Sequence, residues 1–270
     1  MIFAGFQHVA NFLRRCCIGL AIDGLPDDSD MEERAQCKSS PGMLYRAGKK
    51  PEKKFHERYV DAVYNDISKG KSHSTLGRNL KGQPFKESGL DVFNFLKTEG
   101  IKPEHICVEY GCGSLRAAQH FINYLNPSNF LGLDVTDKFY EVGKELIGQK
   151  LLQMKLPHFR IINPATLAEV NQSHPDYLFA VQVMIHIPPN EIEEFLSNII
   201  KACVKTTRAY ILVDTCEITF KPHPRAWVFS KNEIAAFLNK FPINYSLIDA
   251  SSVDFDKNRI EEKWIKLMLK

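Results

Sequence analysis

The 270 residues are enough for one α/β domain with a sizeable core plus an extra segment, or for two small domains. An apolar fraction of 44% and a charged fraction of 25% are ordinary for a soluble globular chain, and a formal charge of +3 gives no reason to expect nucleic acid as partner, which would show as a clustered basic face. The cysteines are Cys16, Cys17, Cys37, Cys107, Cys112, Cys203 and Cys216. Their odd number and the lack of CxxC or Cys/His ligand spacing argue against a disulfide framework or a zinc site, and for reduced thiols in a cytoplasmic protein.

The first segment, Met1–Leu25, is rich in Phe, Ile, Leu and Ala, but Arg14 and Arg15 interrupt it. A signal peptide would place its positive charge before the apolar core, and no uninterrupted run reaches the roughly 18–20 residues of a membrane span. Two readings stand: a packing helix or leader, or an amphipathic helix giving peripheral membrane contact through Phe3, Phe6 and Phe12. Acidic residues from Asp27 to Glu33, then Ser39-Ser40-Pro41-Gly42 and the lysines Lys49, Lys50, Lys53 and Lys54, read as a solvated linker. Residues 1–54 are therefore set apart as leader and linker. From Phe55 the spacing of Phe55, Tyr59, Val63 and Ile67 predicts a helix that Gly70 ends. A polar stretch, Lys71–Gly82, and a short helix over Gly89–Leu96 complete a helical cap over residues 55–100.

Beyond Gly100 strands and helices alternate. Strands are predicted at Ile106–Tyr110, Phe130–Leu133, Phe159–Ile162, Tyr177–Ile185 and Ala209–Val213, the fourth as a long strand buried on both faces. Helices follow over Leu115–Leu125, over Phe139–Ile147 with Thr136 or Asp137 as cap, and over Ile192–Ile200 with Asn190 as cap and Glu193 completing a capping box. Ser230-x-x-Glu233 opens another helix. Tyr245–Ile248 and Lys263–Leu269 read as an antiparallel hairpin. The expected architecture is α/β: a doubly wound, mainly parallel sheet of seven strands, closed by that hairpin and preceded by a helical extension. Ligands on such sheets bind at the carboxyl ends of the strands, where the strand order reverses.

The loop at that place is Val108-Glu109-Tyr110-Gly111-Cys112-Gly113-Ser114-Leu115. A dinucleotide fingerprint would need glycine at position 116, where Arg116 stands, and no Gly-Lys-Ser/Thr follows for a phosphate loop. An acid near the strand end, one spacer and GxG remain, and this resembles the first motif of class I S-adenosylmethionine-dependent methyltransferases. The resemblance covers residues 101–270. It implies a Rossmann-like fold and S-adenosylmethionine as cofactor. It puts Glu109 near the methionine amino group, Gly111 and Gly113 against the methionine moiety, and Asp134 on the ribose hydroxyls. A third family glycine would fall at Leu115. Asn163 is either an adenine contact or a turn residue before Pro164.

The motif names the methyl donor and leaves the acceptor open. Val181-Gln182-Val183-Met184 lacks the Asn/Asp-Pro-Pro-Tyr of nucleobase and amide amino-methylation, which favours a small-molecule acceptor, at an oxygen. An alcohol acceptor benefits from a general base. His186, before Pro188-Pro189, is the candidate by its place in the family's fold; its other reading is a histidine that holds the Pro-Pro turn. Gln182 is either a satisfied core amide or a cofactor contact. Asp214, Glu217, His223 and Arg225 could bind or deprotonate an acceptor, and His73 could belong to a lid. The competing function is a methyltransferase-like binding or scaffolding domain without turnover.

Overall fold

The computed structural model describes residues 53–69, 85–223, 226–255 and 258–270. Five strands, β1 (Cys107–Tyr110), β2 (Phe130–Asp134), β3 (His158–Ile161), β4 (Tyr177–Val181) and β5 (Arg208–Cys216), run parallel in the order β3-β2-β1-β4-β5. In register, Val108 faces Leu131 on one side and Leu178 on the other. The chain winds outward from β1 to β3 in one direction and from β4 to β5 in the other. The reversal between β1 and β4 opens a crevice at their carboxyl ends. Two more strands, β8 (Ile243–Phe255) and β9 (Asn258–Leu269), form the expected hairpin, with β9 antiparallel to β5 along Ala209–Thr215.

Alternate side chains of the strands bury on opposite faces. Leu178, Ala180, Ile211 and Val213 join one core with α6 (Pro164–Gln172), α7 (Ile192–Ala202) and α8 (Lys231–Leu238). Tyr177, Phe179, Tyr210 and Leu212 join the other with α2 (Leu90–Thr98) and α3 (Ala118–Tyr124). α4 (Asp137–Ile147) and α5 (Gln149–Lys155) link β2 to the edge strand β3, and α1 (Phe55–Ser68) lies over the crevice. No helix among the described residues is long and apolar enough to cross a membrane. The leader, the linker up to residue 52 and the Lys71–Gly82 stretch with His73 fall outside the described residues.

Four expectations change. The fourth strand ends at Val181, four residues short of Ile185, because Gln182 adopts a left-handed backbone, φ 55°, and a 3₁₀ turn over Met184–His186 follows. Apolar character there reflects burial in a turn rather than a strand. Two strands were not expected: β6 (Phe220–His223) and β7 (Ala226–Ser230), a hairpin at the end of β5. Two helices are also unexpected, α5 over Gln149–Lys155 and α6 over Pro164–Gln172; Asn163 caps the second, its side chain accepting from the Thr166 N–H at 3.0 Å. Asn190 caps nothing, since Pro189–Glu191 is a 3₁₀ turn and the following helix begins at Ile192 with no side-chain cap. Glu193 instead pairs with Lys240. The Ser230 box forms as expected, its hydroxyl accepting from the Glu233 N–H at 3.2 Å.

Candidate functional site

A cleft of about 840 Å³ lies at the carboxyl ends of β1, β2 and β4. Glu109, Gly111, Gly113, Asp134 and His186, from three separate stretches of sequence, all line it. The glycine loop is tied to the end of β2: the N–H groups of Gly111 and Cys112 both donate to the Leu133 carbonyl, at 2.8 and 2.9 Å. Gly111 and Gly113 have φ values of 79° and 50°, in the left-handed region that costs glycine little. A Cβ on Gly111 would run into Val183, whereas one on Gly113 would meet nothing within 4 Å. Gly113 therefore presents bare main chain to open space, which suits close approach of a ligand.

Leu115 stands in the same region, φ 63°, and is fully buried. Its side chain fits because Gly143 on α4 has none; a Cβ there would come within 2.5 Å of Leu115 Cγ and of the Ser114 carbonyl oxygen. The family's glycine is replaced by leucine in the loop, and a glycine on the facing helix makes room for it.

Asp134 ends β2, buried, with Oδ2 accepting from Gly113 N–H and Oδ1 from Val135 N–H, both at 2.7 Å. A carboxylate offers about four lone-pair sites, so both oxygens can still accept. Burial pushes its carboxyl up to about 6, against backbone hydrogen bonds from Gly113, Val135 and Thr136 that pull it down. Glu109 is also buried, and its Oε2 has no hydrogen-bond partner among the described residues. Burial, and then the charge of Asp134, hold its carboxyl well above the usual range, opposed by Arg116 and the Ala118 N–H. A buried acceptor without a donor, beside an open glycine cradle, fits an ammonium-bearing ligand.

His186 closes the other end. Its ring lies 4.9 Å from that of Tyr59 on α1, tilted by 38°, and its backbone N–H donates to the Val183 carbonyl. Tyr59 also packs edge-on against Phe139, at 6.3 Å, and Val63 buries against the same ring. Lys54 pairs with Glu194 at 2.8 Å and Arg58 with Glu191 at 3.5 Å, so the linker lysine reaches the cleft rim. Tyr59 reads in the sequence as an apolar helix position, and nothing local places it on a histidine over a hundred residues away.

Gln182 lines the cleft and is not a satisfied amide: Nε2 donates to Asp214 and Glu262, but Oε1 lacks a partner among the described residues. Asp214 lies behind it, buried, and Glu217 is exposed outside the cleft. Arg225 and the His223 side chain fall outside the described residues. Asn163 lines the cleft as well as capping its helix. Of the cysteines, Cys107, Cys112, Cys203 and Cys216 are buried and free, and burial pushes the last two thiols up to about 12 and 11, which leaves them protonated; the other three lie outside the described residues.

A doubly wound sheet closed by an antiparallel hairpin, with a glycine loop after β1 and an acid after β2, is the Rossmann-like class I methyltransferase fold. No protein-family model matches the sequence, and no curated protein does. Solved structures do match it. A SAM-dependent methyltransferase from Anabaena variabilis is similar with a TM-score of 0.57 at 12% identity, over 84% of this chain and 100% of that one. Magnesium protoporphyrin IX methyltransferase from Synechocystis, solved with bound SAM, is similar with a TM-score of 0.54 at 15% identity, over 78% of this chain and 96% of that one. At such identities the likeness establishes the fold.

Proposed function

We propose that this protein is an S-adenosylmethionine-dependent methyltransferase acting on a small-molecule acceptor, at an oxygen. The observation that carries the reading is the meeting of Glu109 Oε2, buried and unpartnered, with the open cradle at Gly113 and the Asp134 carboxylate in one cleft. In this reading Glu109 takes the α-ammonium of the cofactor, the Gly111–Gly113 backbone borders its methionine chain, and Asp134 accepts from the ribose hydroxyls. The cofactor, when bound, supplies a methyl group made electrophilic by the sulfonium. The protein's share is alignment, exclusion of water and removal of a proton. In this reading His186, whose ring packs against Tyr59, takes that proton.

The cleft's size supports a small acceptor, since about 300–1,000 Å³ is usual for small-molecule and cofactor sites. Solved structures of the same fold serve different acceptors by their names, a magnesium protoporphyrin in one and a small RNA in another. The small net charge supports the former kind. The scaffolding alternative draws on the missing third glycine, and Gly143 accommodates Leu115 without closing the cradle.

The test is methyl transfer from labelled S-adenosylmethionine into fractionated cell extract. Label in a low-molecular-weight product is expected, and His186→Ala should slow its formation by about 10²–10⁴ while keeping cofactor affinity. Label confined to RNA or protein would reject the small-molecule reading. A full-rate His186→Ala enzyme would reject the base.

A further inference from the structure

Strand β3 is one edge of the sheet: β2 pairs with it on one side, and no strand lies on the other among the described residues. An open edge presents main-chain N–H and C=O groups that a further extended chain can take up. A second cavity, of about 600 Å³, borders this edge, lined by Lys144, Gln153, Leu156, Phe159 and Arg160 among others. Of the eight large apolar side chains exposed among the described residues, Leu146, Met154, Leu156 and Ile161 all lie on or beside α4, α5 and β3, so half of that surface gathers at this one edge. His158 and Arg160 are exposed on the same face of β3. The ion pair of Arg160 with Glu169 is long, 3.9 Å, and both side chains are more than half exposed. A second copy of the chain would set these cations against their own kind, whereas an acidic strand would pair with them. The sequence holds such a run: Asp27-Asp28-Ser29-Asp30-Met31-Glu32-Glu33, with five acids in seven residues. In an extended chain Asp28, Asp30 and Glu32 share one face, with the same two-residue period as His158 and Arg160. From Glu33 to Lys53, where the described residues start, the chain can reach about 66 Å, which exceeds the roughly 40 Å breadth of a domain of this size.

We propose that residues 27–33 of this chain add to the sheet as an extended strand on the open edge of β3, with Asp30 and Glu32 facing Arg160 and His158. The pairing bears on the cleft. β3 runs on into Ile162 and Asn163, both in the cleft wall, and the Ile162 N–H donates to the Asp134 carbonyl at 2.8 Å. A strand on the outer edge therefore steadies the wall that carries Asp134, whatever ligand the cleft takes.

Amide hydrogen exchange on the full-length protein tests this, because the acidic run can be altered without touching the sheet. Neutralising it with Asp28→Asn, Asp30→Asn and Glu32→Gln together should speed exchange over His158–Ile161 about tenfold and leave β1 and β4 as they are. Arg160→Glu should do the same. Combining Arg160→Glu with Asp30→Lys and Glu32→Lys should restore the slow rate, which a mere loosening of β3 by the substitution would not allow. The neutralised chain decides the matter if Arg160→Glu folds poorly. Equal exchange over His158–Ile161 in wild type and the neutralised chain overturns the proposal, and so does a combined variant as fast as Arg160→Glu alone. Protection that rises with protein concentration assigns the edge to a second copy and overturns it too.

Discussion

Leu115 shows how one position can depart from a motif and keep its geometry. A left-handed backbone costs a non-glycine residue about 1–2 kcal/mol, and full burial of a leucine returns a similar amount. The arrangement depends on Gly143. Gly143→Ala should lower stability by about 1–3 kcal/mol despite alanine's better helix propensity, seen as a lower urea midpoint; an unchanged midpoint would mean that the loop yields freely. Asp134 carries a second prediction. Its carboxyl sits at about 6 in the folded protein, above the ordinary 3.8. A raised carboxyl favours the protonated form, so its contribution to stability is present below the ordinary value and is lost as pH rises through about 6. Ribose hydroxyls that donate to the ionised form reverse the preference. Cofactor affinity should therefore fall as pH drops below about 6, and Asp134→Asn should lose that step in titrations across the range. The acids and glycines of this site are legible in the sequence because strand, turn and helix set their spacing locally. The accommodation of Leu115 by Gly143 and the clamp on Gln182 are not, because each depends on residues that only the fold brings together.

Among the elements, α1 covers the cleft through a few ring contacts and ion pairs at its edge. The pair of Lys54, just before it, with Glu194 is solvent-exposed, that of Arg58 with Glu191 is partly so, both are weak, and Tyr59 packs its ring on His186 in the cleft wall. Tyr59→Ala should speed amide hydrogen exchange over Phe55–Ser68 while the exchange of β1 and β4 stays as it was. Equal exchange in both proteins would show that Val63 and Tyr64 against Phe139 hold the helix unaided. The helix itself is plain in the sequence from its four-residue spacing. Strands β6 and β7 are not, because Pro222 interrupts the first and the second is too short to show an alternation. The end of β4 is hidden for a related reason: residues 177–185 are apolar but for Gln182, and periodicity cannot separate a buried strand from a buried turn.

The molecule as a whole places its ligand chemistry at one end of the sheet and a fastening network at the other. Glu99, just after α2, accepts from the Tyr210 hydroxyl at 2.7 Å on β5 and pairs with Lys266 at 2.6 Å on β9. Phe95 stacks on Trp264 beside it, centroids 4.4 Å apart. Burial would raise the Glu99 carboxyl, but the hydrogen bonds from Lys266 and Tyr210 outweigh it and hold it low. Its contribution to stability is therefore present above the ordinary carboxylate range and lost as pH falls through it. Glu99→Gln should lower the melting temperature at neutral pH, with a difference that shrinks toward acid, and should leave cofactor affinity alone. Alternating strands and helices made the sheet readable in advance, since each crossover has its own periodic signature. The measurement that bears most directly on the central claim is calorimetric titration of the wild-type protein and Asp134→Ala with S-adenosylhomocysteine. Micromolar binding by wild type is predicted, weakened by about 1–3 kcal/mol in the variant through loss of charge-assisted hydrogen bonds. No wild-type binding at millimolar ligand, or equal affinity in the two proteins, would contradict the assignment of this cleft.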